Sequence, residues 1–313
     1  MKVVVMGAGA VGCFYGGMLA RAGQDVALIG RARHVEAIGA QGLRFESAHF
    51  DERVPVRAST DPAVAAEADL VLVCVKSDDT VEAAEALRPH LKRGAIVVSL
   101  QNGIDNAATL EAALSRPAIA AAVYVACEMA DAGHLRHHGR GDLIIGTAAG
   151  SEAVARCFEQ AGVPTLVSAN IAAALWDKLV LNCSYNAISA LVQLPFGAVS
   201  ALPAAEQAMR DVLAECLAVA RAEGVRMDLD AGSQYARIRR TIPGGQYSSM
   251  AQDFARGRAT EIAHLNGAIV RRGAALGVAT PVNQLLVALI TLLDGQIENG
   301  KRYQGRRSNA RMG

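Results

Sequence analysis

Residues 2–12 have the sequence KVVVMGAGAVG, which predicts a short buried strand, a glycine-rich turn and the start of a helix. The run of valines is typical of a strand that is buried on both faces of a parallel sheet. The turn carries Gly7, Gly9 and Gly12 in the spacing G-x-G-x-x-G. That pattern alone is a weak signal, but between a strand and a helix near the start of a chain it predicts a dinucleotide-binding fold.

The glycines of this turn have different expected roles. Gly7 allows the tight turn, Gly9 lets the backbone approach a diphosphate, and Gly12 lets helix and strand pack closely. The free backbone N–H groups around the helix start, including those of Ala10 and Val11, would bind the diphosphate, because the helix dipole favours negative charge there. The alternative is an ordinary glycine-rich turn with no ligand.

The second predicted strand, DVALI at residues 25–29, indicates which dinucleotide binds. An NAD-binding fold carries an acidic residue at this strand end, where it accepts hydrogen bonds from the ribose 2′-hydroxyl. Here the strand is followed by Gly30, Arg31, Ala32 and Arg33, with no carboxylate at the tip. Since a guanidinium pairs with phosphate, we expect NADP rather than NAD. Arg31 is the expected binder of the 2′-phosphate; the role of Arg33 stays open, and the alternative for both is a solvated loop.

Short apolar runs alternate with helical stretches through the first half of the chain. Beyond the two strands above, the pattern predicts strands at residues 70–75 and 95–100, helices at 11–22, 33–41, 62–68 and 80–91, and a hairpin closing one side of the sheet at 118–146. This alternation predicts an α/β fold whose N-terminal part is a Rossmann-type doubly wound parallel sheet.

Strand signals nearly vanish after about Val167. Long stretches rich in alanine and leucine predict helices at residues 169–194, 201–223, 248–276 and 281–296. We therefore predict a dinucleotide-binding domain at residues 1–167 and an all-helical substrate and catalytic domain at 168–313. From about residue 299 the chain is a basic tail, predicted to be a frayed end, with a phosphate-binding arm as the alternative.

Composition excludes several classes of function. A chain of 313 residues with net charge +1 and 4% aromatic residues has neither the basic field nor the stacking platforms of a nucleic-acid-binding protein. Its apolar stretches are interrupted by glycine, proline and amides, so neither a membrane span nor a signal peptide is expected. The six cysteines form no C-x-x-C pair, which predicts reduced thiols in a cytoplasmic protein with no metal site.

Two further strand ends carry polar residues that could face a ligand. The strand at residues 70–75 leads into Lys76 and Ser77, and the strand at 95–100 leads into Gln101, Asn102 and Gly103. Ligands of open α/β sheets lie at the carboxyl ends of the strands, so we expect Lys76 and Asn102 to border one crevice. The alternatives are a helix N-cap region at residues 77–79 and a plain turn at Asn102 and Gly103.

In the second half, Lys178, Asn182 and Asn186 recur every four residues among apolar neighbours. On a helix they form one polar stripe. Buried polar groups need partners, and a polar substrate is one, although a solvated helix face is the alternative. On a further predicted helix, Ser249 and Glu261 are weaker candidates, because a helix cap or a solvated carboxylate would explain them equally well.

Taken together, these residues resemble the ketopantoate reductase (2-dehydropantoate 2-reductase) family over nearly the whole chain. The resemblance rests on GAGAVG at 7–12, CVKS at 74–77, QNG at 101–103, WDKLxxN at 176–182, SSMxQD at 248–253 and TEIxxLNG at 260–267. It implies a Rossmann domain joined to a helical domain. It also implies NADPH-dependent reduction of ketopantoate to pantoate in pantothenate and coenzyme A biosynthesis.

The resemblance also implies roles for individual residues. Lys178 matches the general acid of the family, and Glu261 matches the carboxylate that helps to organise substrate and lysine. The substrate-binding positions are matched by Asn182, Asn186 and Ser249. The cofactor-side positions are matched by Lys76 and Asn102, which also reach the active centre, and by Arg31 at the 2′-phosphate. Asn102 is also expected to bind the substrate.

Several alternatives remain open at this point. The protein could act on a different 2-keto or 3-keto acid, or could be a non-catalytic module that senses NADP. A zinc hydrolase built on His134, His137 and His138 is a third alternative, disfavoured because these residues lack a suitable carboxylate partner pattern. The expected binding partner is a small keto acid substrate. The sequence leaves open whether the chain also forms a homodimer.

Overall fold

Strand β1 (Lys2–Met6) is the first of ten strands in a computed structural model that describes residues 1–227 and 230–298. The chain divides into an N-terminal unit, Met1–Leu175, and a C-terminal unit, Trp176–Gly313. The other strands are β2 (Asp25–Ile29), β3 (Leu43–Glu46), β4 (Asp51–Val54), β5 (Arg57–Ser59), β6 (Leu70–Val73), β7 (Ile96–Ser99), β8 (Ile119–Asp131), β9 (His134–Gly146) and β10 (Thr165–Ser168).

Six of the strands form the predicted parallel sheet. They pair in the order β5, β2, β1, β6, β7 and β8, and every pair is parallel. Counted along the chain, this is the order 3-2-1-4-5-6 of a doubly wound dinucleotide-binding sheet. The order reverses between β1 and β6, so the crevice expected to hold a ligand lies where these two strands end.

The hairpin predicted at residues 118–146 is present, but it does not close the sheet. Strands β8 and β9 pair antiparallel, and beyond them β3 pairs with β9 and β4 pairs with β3, while β10 also pairs with β9. Strands β3, β4, β5 and β10 were not predicted, because strands of three or four residues with charged or exposed positions lack a clear apolar pattern.

Helices cover both faces of the parallel sheet. Those of the N-terminal unit are α1 (Ala10–Arg21), α2 (Ala32–Gln41), α3 (Thr80–Leu87), α4 (Asn106–Leu114) and α5 (Ser151–Gln160). Val3 and Val5 of β1 belong to the same buried cluster as Phe14 of α1, whereas Val4 belongs to the cluster of Leu87 on α3. Alternate residues of β1 therefore serve opposite cores, as the continuously apolar strand predicts. The helix predicted at residues 62–68 is a 3₁₀ turn, Pro62–Glu67, instead.

Helices make up the described part of the C-terminal unit. They are α6 (Ile171–Val192), which begins just before this unit, α7 (Phe196–Ser200), α8 (Pro203–Ala222), α9 (Ala231–Thr241), α10 (Ser249–Ala255), α11 (Asn266–Leu276) and α12 (Pro281–Glu298). Over the described ranges, none of the helices combines the length and the apolar run that crossing a bilayer requires. The basic tail expected from about residue 299 lies outside the described residues.

The single helix predicted over residues 248–276 is wrong. Helix α10 ends at Ala255, Gly257 takes a left-handed φ of +63°, and a 3₁₀ turn over Ile262–His264 precedes α11. The intervening segment is held elsewhere, because Thr260 donates its backbone N–H and its hydroxyl to the carboxylate of Asp294, at 3.2 and 2.7 Å. Glu261 therefore lies at the start of a turn and not on a helix.

Candidate functional site

The glycine turn after β1 is hydrogen-bonded to the end of β2 and lies against the residues that follow β6. The N–H groups of Gly7 and Ala8 each donate to the carbonyl of Ile29, at 2.9 Å. Gly7 has a φ of +114°, and a Cβ there would lie 2.8 Å from the backbone of Cys74 and of Val75, just beyond β6. The turn thus lies against the switch point of the sheet, and only glycine fits at its first position.

The other two glycines of the turn differ in their surroundings: Gly12 is closely packed, and Gly9 borders open space. A Cβ on Gly12 would come within 2.0 Å of the Gly7 carbonyl oxygen, whereas a Cβ on Gly9 would meet nothing within 4 Å. Helix α1 starts at Ala10, with Gly9 as its cap and no side-chain cap. The N–H groups of its first turn, including those of Ala10 and Val11, have no acceptor within the helix. An open surface of free N–H groups at a helix start fits the diphosphate of a dinucleotide.

Two thiols lie beneath this turn. Burial raises the pKa of Cys13 to about 12 and raises the pKa of Cys74 further. Both side chains therefore stay neutral at physiological pH and place no negative charge behind the N–H groups. The positive end of the α1 dipole is therefore not neutralised by these thiols and can attract an anion.

The two arginines after β2 have different surroundings. Arg33 forms an ion pair with Asp131 at 2.7 Å. Arg31 is exposed and caps the start of α2. Within the part of the chain that the structure describes, the Arg31 guanidinium has no ion pair. This difference favours Arg31, and not Arg33, as the group available to a 2′-phosphate.

The loops after β6 and β7 are joined by hydrogen bonds, which places Lys76 and Asn102 on neighbouring segments. The carbonyl of Asn102 accepts from the Ser77 hydroxyl at 3.2 Å and from the amide of Asn106 at 2.5 Å. The Gln101 amide donates to the carbonyl of Val75 at 3.2 Å. The role of Asn106 was not predicted, although an asparagine at the first position of a helix could have suggested a loop contact.

The predicted polar stripe lies on α6. Lys178, Asn182 and Asn186 occupy successive turns, and their neighbours Leu179 and Cys183 are buried. Asn186 is only 5% exposed, and Lys178 and Asn182 are half-buried. Among the residues that the structure describes, neither asparagine side chain has a hydrogen-bond partner. Amides at such buried and half-buried positions are available to bind a polar ligand.

The two serines at the start of α10 have different roles. Ser248 is the helix cap: its hydroxyl accepts from the N–H of Ala251 at 3.0 Å and donates to the carbonyl of Asn186 at 3.1 Å. Ser249 follows as the first helical residue and is exposed. The cap therefore leaves the Ser249 hydroxyl available and joins α10 to the polar stripe.

The start of the stripe is held by α9, which the sequence analysis missed. The carboxylate of Asp177, next to Lys178, accepts from the amide of Gln234 at 3.2 Å and from the guanidinium of Arg237. Helix α9 is polar apart from a few residues, so its apolar pattern is too weak to predict a helix. No local signal marks Gln234 and Arg237 as partners of residue 177.

The three histidines considered for zinc have separate partners. His134 contacts Glu46 at 2.8 Å, His137 contacts the carbonyl of Arg140 at 2.6 Å, and His138 contacts Glu128 at 3.1 Å. Over residues 1–227 and 230–298 the structure contains no group of three or more His, Cys, Asp or Glu side chains that could hold a metal ion.

Comparison with known proteins covers both units of the chain. The model of the ketopantoate reductase PanE/ApbA family matches residues 3–150, and that of its C-terminal domain matches 170–294. The 2-dehydropantoate 2-reductase of Halobacterium salinarum is 36% identical over 93% of this chain and 98% of its own, and that of Pyrococcus horikoshii is 32% identical over 93% and 96%. The crystal structure of a PanE/ApbA family ketopantoate reductase from Ralstonia eutropha is 55% identical and superposes with a TM-score of 0.91, covering 95% of this chain and all of its own. The chain therefore belongs to the PanE/ApbA ketopantoate reductase family.

Proposed function

We propose that this protein reduces 2-dehydropantoate to pantoate with NADPH as the reductant. The observation that carries the proposal is the stripe on α6, where Lys178 and two amides that have no hydrogen-bond partner among the described residues lie beside buried apolar side chains. A reductase of keto acids needs a proton donor for the ketone oxygen and neutral donors for the rest of the substrate. Lys178, Asn182 and Asn186 supply this set.

The N-terminal unit would hold the cofactor. Its backbone N–H groups at Gly9, Ala10 and Val11 would bind the diphosphate, with Gly7 and Gly12 shaping the turn. NADPH supplies the hydride when bound. Arg31 would pair with the 2′-phosphate, and this pairing favours NADPH over NADH. Lys76 and Asn102 would contact the nicotinamide side of the cofactor, as the loop contacts at the switch point suggest.

The C-terminal unit would bind and protonate the substrate. Lys178 would donate a hydrogen bond to the ketone oxygen, stabilise the negative charge that develops there and then transfer its proton. Glu261 would organise the lysine and the substrate. Asn182, Asn186 and Ser249, together with Asn102, would bind the substrate carboxylate and hydroxyl through neutral groups. Neutral groups avoid an excess of positive charge that would bind any anion.

A steady-state assay of NADPH oxidation tests the proposal. The protein is given 2-dehydropantoate and, in parallel, a panel of other 2-keto and 3-keto acids at equal concentrations. We expect kcat/KM to be highest for 2-dehydropantoate. A higher value for another keto acid would assign a different substrate, and NADPH binding without oxidation by any acid would make the protein a sensing module.

The homodimer stays a prediction from the sequence. Analytical ultracentrifugation at the protein concentration of the assay measures it, with and without NADPH.

A further inference from the structure

One buried amide of the C-terminal unit is bonded in an unusual way. Asn266, at the start of α11, is fully buried, and its Nδ2 donates to the backbone carbonyl of Cys183 at 3.0 Å and to Oδ1 of Asn283 at 2.9 Å. Both amide hydrogens are thus used. Its own Oδ1 is buried, and within the described ranges it has no hydrogen-bond partner. Leaving such an oxygen unpaired lowers the stability of the fold by roughly 1–3 kcal/mol. The Asn266 amide thus makes both donated bonds although its orientation leaves this oxygen without a donor.

A carboxylate fixes the direction of these bonds. Glu215 on α8 accepts from the backbone N–H groups of Val282 and Asn283 at 2.8 and 3.0 Å, and from Nδ2 of Asn283 at 2.7 Å. Because a carboxylate only accepts, Asn283 must turn its Nδ2 towards Glu215 and its Oδ1 towards Asn266. Asn266 must in turn present its Nδ2. We call Glu215, Asn283 and Asn266 the amide clamp.

The amide clamp connects α6, which carries the polar stripe, to the segment that carries Glu261. Cys183, whose carbonyl it reaches, directly follows Asn182 in the polar stripe. Asn266 comes five residues after Glu261, and the segment between them is fastened, since the N–H groups of His264 and Leu265 donate to the carbonyl of Glu261 at 3.0 and 3.2 Å. The position of Asn266 against α6 therefore sets the position of the Glu261 turn relative to Asn182.

We propose that Asn266 is a positioning residue for the reduction. It holds the turn that carries Glu261 against the α6 stripe, at a point one residue from Asn182, and so aligns the carboxylate with the lysine and the amides that receive the keto acid. This inference rests on the proposed function. It adds a residue that touches neither substrate nor cofactor and acts through Cys183 and the Glu261 turn.

The bonding of the clamp predicts a separation of activity from stability. Asn266→Leu has nearly the same volume, removes the two donated bonds and also removes the unpaired oxygen. The Cys183 carbonyl keeps its bond within α6, and Asn283 keeps its bond to Glu215. Oδ1 of Asn283 loses its Asn266 donor and retains only the Cys216 thiol at 3.9 Å, so one poorly paired buried oxygen replaces another. We therefore expect a small change in melting temperature. A displacement near 1 Å in an active site can lower turnover about 100-fold, so kcat/KM for 2-dehydropantoate should fall about 10- to 100-fold.

Thr280→Val is the matched control. Thr280 is also buried, its hydroxyl has no partner among the described residues, and it lies just before α12, close to Asn283 in the chain. We expect this variant to keep the kcat and KM of the wild type. Kinetics are normalised to the concentration of NADPH-binding sites, so that unfolded protein does not enter the comparison. If Asn266→Leu lowers the melting temperature but leaves kcat and KM per site unchanged, Asn266 is only structural and the proposal fails.

Asn266→Asp adds a pH readout and a second variant, should the leucine variant not fold. A carboxylate at position 266 cannot donate to the Cys183 carbonyl or to Asn283, whereas the protonated acid can donate one of the two bonds. The ratio of variant to wild-type kcat/KM should therefore rise as pH falls. A ratio that stays constant from pH 8 to pH 5.5 would contradict the positioning role.

Hydrogen–deuterium exchange separates this inference from the proposed function. In Asn266→Leu we expect faster exchange of the His264 and Leu265 amides than in the wild type or in Thr280→Val. If the wild type does not reduce 2-dehydropantoate but exchange increases as expected, the substrate assignment fails and the clamp stands. Unchanged exchange in Asn266→Leu would overturn the clamp itself.

Discussion

The two units of the chain build their candidate sites from different parts of the polypeptide. In the N-terminal unit the candidate ligand-binding groups are the backbone N–H groups of Gly9, Ala10 and Val11, where the glycine turn leads into α1. In the C-terminal unit they are side chains on successive turns of α6, held by residues from α8, α9, α11 and α12. A backbone site depends on which residues lack a side chain. A side-chain site depends on how several helices are fixed to one another.

This difference decides what a substitution does. In the glycine turn an added methyl group either clashes with the protein backbone or enters the space where the ligand would bind, depending on its direction. Along α6 a substitution removes a chemical group and leaves the helix intact, because neighbouring apolar residues such as Leu179 and Val180 hold it in place. Activity and stability should therefore be separable along α6, whereas in the glycine turn the outcome depends on which glycine is changed.

The largest expected effect is that of Lys178→Ala, which tests the side-chain site. Loss of the proton donor should lower kcat about 10²- to 10⁴-fold. Affinity for NADPH, measured by fluorescence titration, should change little, because the cofactor groups belong to the other unit. An unchanged kcat would remove Lys178 from the acid role, and an equal loss of NADPH affinity would show that the two sites are not separable.

Arg31→Ala should have the next largest effect and should act on cofactor choice alone. A charge-assisted hydrogen bond contributes roughly 1.5–3 kcal/mol, so the preference for NADPH over NADH in kcat/KM should narrow about 10- to 100-fold. Arg33→Ala is the matched control, because that guanidinium is paired with Asp131. We expect the ratio in this control to stay at the wild-type value. A ratio that responds equally to both substitutions would mean that the loop carries only general positive charge.

Gly12→Ala and Gly9→Ala form a pair that tests the backbone site. The new methyl group at position 12 meets the Gly7 carbonyl oxygen, so the protein should lose roughly 1–3 kcal/mol of stability or more. At position 9 the methyl group points into open space, so the melting temperature should hold while NADPH affinity falls. Calorimetry and NADPH titration of both variants distinguish the two outcomes. Equal loss of stability in both would contradict the roles assigned to the two glycines.

The fold of the N-terminal unit could largely be predicted from the sequence because its signals are local. The valines of β1, the glycine spacing and the apolar run of β6 each lie within a few consecutive residues. The strands that were missed, such as β4 (Asp51–Val54) and β5 (Arg57–Ser59), are short and polar, and their place is decided by pairing with distant strands. Similarly, the break after α10 depends on Asp294, which lies more than 30 residues away.

The candidate substrate site could be predicted only in part. The spacing of Lys178, Asn182 and Asn186 is visible on one helix, and the stripe was expected. The residues that hold this stripe are Asp177 with Arg237, and Asn266 with Asn283 and Glu215. They are far apart in the chain, and an asparagine or a glutamate on a helix looks solvated until packing shows its partner. Tertiary contacts, and not residue types, identify them.

The smallest expected effect concerns acid, and it separates the units by their response to pH. The ring of His137 packs against Phe14 at 4.6 Å, and this burial lowers its pKa below the usual value, although the Arg140 carbonyl opposes the change. Below about pH 6.5 the unfolded chain gains a proton at this histidine that the folded chain does not accept, so the stability of the N-terminal unit should fall as pH falls. NADPH binding identifies the calorimetric transition of this unit, because it raises the melting temperature of that transition. Between pH 7.5 and pH 5.5 this melting temperature should therefore fall less in His137→Gln than in the wild type. His138→Gln, at an exposed position of the same strand, should behave as the wild type. An equal loss in all three proteins would mean that other groups govern the acid response of this unit.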